Sequence, residues 1–140
     1  IVILKAGEVV GLNSGRGLDW MIDRIINPLS EKINEKNFLQ NFIAIGESGG
    51  VWARFDDAGN MIRGKNDELA VDNSLRAQVV QLIEEKYSES MALYEDKEVI
   101  VSTEMRDGYD LNSYKKKQEE LVKDLQELLE KREEKRRDCQ

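Results

Sequence analysis

Residues 46–50 read Gly-Glu-Ser-Gly-Gly, close to the spelling that surrounds nucleophilic serines in hydrolases. A serine nucleophile needs a base to accept its proton, and the 140-residue chain contains no histidine. The hydrolase form of G-x-S-x-G also needs a helix directly after the serine. Here Val51, Ala53 and Phe55 alternate with Trp52 and Arg54, which is the period of a strand. Ser48 is therefore read as part of a tight β connection. No catalytic residue is assigned, and the chain is expected not to be an enzyme.

A second glycine cluster, Gly11-Leu-Asn-Ser-Gly-Arg-Gly17, follows an apolar run and precedes a helical pattern. Glycines in that setting let backbone amides approach a phosphate at a helix N-terminus. Gly11, Ser14, Gly15, Arg16 and Gly17 are the candidate ligand-binding residues, with Arg16 as the cation. The glycine spacing resembles the dinucleotide loop of short-chain dehydrogenases. That family's Tyr-x-x-x-Lys pair is missing, so no cofactor is expected. Asp56, Asp57 and Asn60 form one acidic cluster, and Glu104, Asp107 and Asp110 another. Neither matches the spacing of an EF-hand loop, and no metal is expected.

Composition narrows the classes further. The formal charge is −7 and the pI is near 4.8, which disfavours nucleic acid and anionic membrane surfaces. No run of 18 apolar residues exists, so no membrane helix is expected. Cys139 is the single cysteine, so no intrachain disulfide forms. It is read as an inert exposed thiol, with oxidative crosslinking as the lesser alternative. A cytoplasmic location is expected. The first residue is Ile, and the chain is expected to be a fragment or a processed product.

The elements that would position these residues follow from periodicity. Residues 1–10 read as one or two strands. Leu18, Met21, Ile22, Ile25, Ile26, Leu29 and Ile33 recur at helical spacing. Pro28 lies within that run and demands a kink or a junction of two helices. Residues 42–45 and 51–55 read as strands, and Asp56-Asp-Ala-Gly-Asn60 as the turn to a partner strand at 61–63. The segment RFDDAGNMIR also resembles one copy of a YD (RHS-type) repeat hairpin, over ten residues and without a second copy.

Asp72 or Asn73 should cap a helix from 74 to 87, which is expected to run on to Tyr94. Residues 97–105 are rich in β-branched side chains and read as a strand. From 112 onward Leu111, Tyr114, Gln118, Leu121, Leu125, Leu128 and Arg132 make an a/d seam. Glu119–Lys123, Glu127–Lys131 and Glu133–Arg137 are i,i+4 pairs along it.

The fold expected is α+β: a small, largely antiparallel sheet of four or five short strands, two packed helices and a long C-terminal amphipathic helix. Residues 1–110 form the globular domain and 111–140 the charged helix, frayed at its end. The function expected is a non-enzymatic interaction or structural module. It would assemble with itself or with a protein partner through Trp52, Tyr114, Leu121, Leu125 and Leu128. The alternative is a nucleotide- or phosphate-binding protein using the loop 11–17.

Overall fold

The structure is a computed structural model that describes residues 1–94 and 97–138. Cys139 lies outside the described residues. The fold is α+β, with a four-stranded sheet, a two-stranded ribbon and five α-helices among the described residues. The chain forms two compact units. Ile1–Val71 with Glu95–Ile100 makes the first, and Asp72–Tyr94 with Val101–Gln140 the second.

Unit 1 is built on the sheet β1-β2-β3-β4. Strands β1 (Val10–Asn13) and β2 (Phe42–Gly46) run parallel, with Val10 opposite Phe42 and Asn13 opposite Ile45. Strands β3 (Val51–Phe55) and β4 (Met61–Lys65) complete the sheet antiparallel. The β3–β4 hairpin forms as its turn chemistry dictates. Asp56 accepts from the backbone and side chain of Asn60 at 2.7 and 2.9 Å, and Gly59 adopts φ +81°.

The alternation read in the sequence places Phe42, Ala44, Val51, Ala53 and Phe55 on one face. They are buried with Leu18, Met21, Ile26, Ile33 and Leu39. A continuous helical run covers them: α2 (Leu18–Met21), a π turn (Ile22–Ile26) and α3 (Asn27–Lys32). Pro28 explains the π turn. Its ring would clash with the preceding turn of a regular α-helix. The Asn27 N–H instead bonds back to Ile22, and Pro28 starts the next segment at a position where no N–H is needed.

Three sequence expectations change. Residues 1–10 are neither one strand nor two: Val2–Lys5 form α1, which buries Leu4 and is followed by Gly7 with φ +83°. The strand starts only at Val10 and extends into what was read as the glycine loop. Beyond Lys86 the helix α4 (Asn73–Lys86) does not continue to Tyr94. Ser90 and Met91 N–H both bond to the Tyr87 carbonyl, closing a turn that leads into β5 (Met91–Leu93). Within 97–105 only β6 (Thr103–Met105) is a strand, paired antiparallel to β5.

In unit 2, α5 (Leu111–Asp138) packs along α4 and the ribbon. Asp110 opens it by accepting from Ser113 N–H at 2.8 Å, and Asp72 caps α4 by accepting from Leu75 N–H at 2.9 Å. Ile83, Tyr87, Met91 and Leu121 form the buried centre, flanked by Val79, Leu82, Leu93, Tyr114 and Leu125.

Candidate functional site

The parallel pair decides where unit 1 gathers its polar groups. β1 and β2 end side by side, so the segments that follow them, 14–17 and 47–50, must meet at one edge of the sheet. Backbone bonds lace them together. Ser14 N–H donates to Ile45 O at 2.9 Å, Glu47 N–H to Arg16 O at 2.9 Å, and Ser48 N–H to Ser14 O at 3.4 Å. Gly46 is required by this closeness, because a Cβ there would lie 2.7 Å from Arg16 O.

Within the first loop Ser14 Oγ accepts from Arg16 N–H at 3.1 Å, and the Arg16 guanidinium lies 4.7 Å from the Trp20 ring centre. Gly17 then leads directly into the helical run. The Gly15 position is open: an added Cβ would meet nothing within 4 Å. Its carbonyl accepts from Lys97 Nζ at 2.8 Å, and Lys97 is buried. The structure thus brings Ser14, Gly15, Arg16 and Gly17 together. Gly11 stands apart, inside β1 opposite Ile43.

Lys97 has no counterpart in the sequence reading, and Glu47 is what holds its segment. Glu47 is 2 % exposed, and its carboxylate accepts three successive backbone N–H groups. Oε1 takes Glu98 at 2.8 Å, and Oε2 takes Val99 at 2.7 Å and Ile100 at 3.0 Å. The segment 97–100 is packed in as well, since a Cβ on Gly50 would come within 2.7 Å of Val99. The signal for this lay in a single acid between Gly46 and Ser48, which the sequence does not distinguish from a turn residue. Ser48 is exposed with φ +56°, a turn conformation.

The residues read as partner contacts lie elsewhere. Trp52 is half-buried on the face of β3 opposite the core, stacked over Gly64 and beside Arg54. Tyr114, Leu121 and Leu125 pack within unit 2, and Leu128 is half-buried. Leu111 and Gln118 are exposed and leave the seam. Arg132, its polar member, pairs with Asp72 at 3.0 Å and donates to Ser74 Oγ at 3.1 Å. Of the i,i+4 pairs, Lys131–Glu127 and Arg137–Glu133 form, at 3.9 and 3.7 Å, whereas Glu119 and Lys123 make no ion pair among the described residues. Among the described residues no group of three or more metal-binding side chains gathers. No helix there is long and apolar enough to cross a membrane.

Similarity supports the fold alone. The IMP-nucleotidase of Plasmodium falciparum matches with a TM-score of 0.50 over 89 % of this chain, at 10 % identity. The chain spans 39 % of that protein's length. No protein-family model matches the sequence, and no curated protein matches it.

Proposed function

We propose that unit 1 binds the phosphate group of a small phosphate ester at the carboxyl edge of β1 and β2. The observation that carries this reading is the meeting of two laced loops with a cation, Lys97, bonded to the carbonyl of the open residue Gly15. The physics is general. Ligands of open sheets containing parallel strands sit outside the carboxyl ends of those strands. The amides that open the helical run after Gly17 add a positive end of the peptide dipole. Arg16 supplies a further cation at the same loop.

The name of the similar structure suggests a nucleoside monophosphate as the first ligand to try. IMP at ten times its Kd should raise the unfolding free energy by about 1.4 kcal/mol. Gly15→Val fills open space without a clash and should abolish the effect, as should Lys97→Met. A wild-type chain whose melting is unmoved by millimolar IMP and by inorganic phosphate sinks the reading.

A second reading is association through α5, favoured by Leu111, Val122 and Leu129, which are 55, 53 and 46 % exposed along one stripe of the helix. Leu111 belongs to the seam read in the sequence, whereas Val122 and Leu129 lie outside it. Light scattering on the whole chain decides it. A dimer lost in Val122→Asp supports association, and a monomer at every concentration removes it.

A further inference from the structure

Unit 2 contains a cleft of about 480 Å³ between the first turns of α4 and the last turns of α5. Its walls are Ser74 and Gln78 on α4 and Lys131, Arg132, Lys135 and Arg136 on α5, with Leu128 as the apolar member. Four cations in one small cleft stand out in a chain of net charge −7.

The arrangement is only partly what helix stability would select. Lys131 and Lys135, and likewise Arg132 and Arg136, are like charges at i,i+4, which destabilise a helix. The positive dipole end of α4 faces them and raises the cost. Asp72 compensates Arg132, and Glu127 lies 3.9 Å from Lys131. Lys135 and Arg136 have no ion-pair partner among the described residues. The peptide dipole of α5 favours cations in its last turn. It does not account for Lys131 and Arg132, which lie further back.

The geometry points to a binding site for a compact polyanion of the phosphate class, carrying at least two negative charges. Lys131, Lys135 and Arg136 would meet its charge. Ser74 Oγ and the Gln78 amide would supply neutral hydrogen bonds. Arg132, held by both Asp72 oxygens at 3.0 and 3.1 Å and bonded to Ser74, forms a fixed wall. A cleft of about 480 Å³ has room for a pyrophosphate.

The test is a titration of the full chain with inorganic pyrophosphate at low salt, followed by backbone NMR. The expected result is saturable binding with shifts at Ser74, Gln78 and 128–136, weakening as salt rises. Lys135→Glu combined with Arg136→Glu should weaken binding by roughly tenfold or more. Gln78→Glu, on the other helix, should also weaken it, which covers the case where the first variant frays α5. Lys97→Met should leave these shifts in place, separating this cleft from the proposed site in unit 1. Absent saturation, shifts only in unit 1, or unchanged affinity in both charge variants would overturn the proposal. So would a single-stranded oligonucleotide that binds through these residues more tightly than pyrophosphate.

Discussion

Glu47 and Ser48 both occupy the left-handed region, with φ +48° and +56°. For residues with a Cβ this costs on the order of 1 kcal/mol each. Three amide bonds to one buried carboxylate offset it. Glu47→Gln keeps the shape but replaces an acceptor oxygen with an N–H group. It should cost about 2–3 kcal/mol in urea denaturation and speed amide exchange at Glu98, Val99 and Ile100. Exchange as slow as in the wild type would show that packing around Val99, and not the carboxylate, holds the segment. A comparable case in unit 2 is Tyr87, whose buried hydroxyl donates to Asp124 Oδ2 at 2.6 Å. Burial, and then this carboxylate, raise its pKa above the ordinary tyrosine value. Tyr87→Phe removes this bond while Asp124 keeps its ion pair with Lys86, and should cost roughly 1–2 kcal/mol, read by thermal unfolding at neutral pH.

At the scale of elements, α5 is held by its apolar seam and by capping carboxylates. Leu121→Ala should cost about 2–4 kcal/mol, because its contacts with Ile83, Tyr87 and Met91 are lost and a void remains. Leu125→Asp should lower the melting temperature further, by placing a charge against the same cluster. The caps give a pH dependence. The Ser113 backbone N–H holds Asp110 below its ordinary value of 3.8, and the Leu75 N–H does the same for Asp72. A lowered pKa means that the charged form is favoured on folding. The stabilisation is therefore full above about pH 4 and is lost as pH falls through the lowered values. Asp110→Asn should melt below the wild type at pH 7 and converge with it at low pH. A gap that stays constant down to pH 2 would exclude the capping carboxylate as its cause.

At the scale of the molecule, charge is unevenly spread. From Ser113 onward nine basic residues face eight acidic ones, so the excess of acid lies in 1–112. Ending the chain at Tyr109 removes α5 and uncovers Ile83, Tyr87 and Met91. The shortened chain should bind a hydrophobic dye and lose cooperative melting of unit 2. A folded, dye-silent product would mean that α4 and the ribbon are self-sufficient.

The sequence by itself determined what depends on near neighbours. The hairpin read at 51–63, the cap at Asp72, the disruption at Pro28 and the apolar stripe of α5 all rest on spacings of a few residues. The chain also contains no histidine, so no histidine-based triad can form at Ser48 from its own residues. Tertiary structure decided the rest. Whether Val2–Lys5 coils or extends depends on burying Leu4, and apolar short runs carry no period to choose by. Whether the α5 seam meets a partner or its own chain depends on α4, more than thirty residues earlier. The meeting of Gly15, Glu47 and Lys97 depends on β1 and β2 being parallel. Strand direction is set by the long connection between them, and no local pattern encodes it.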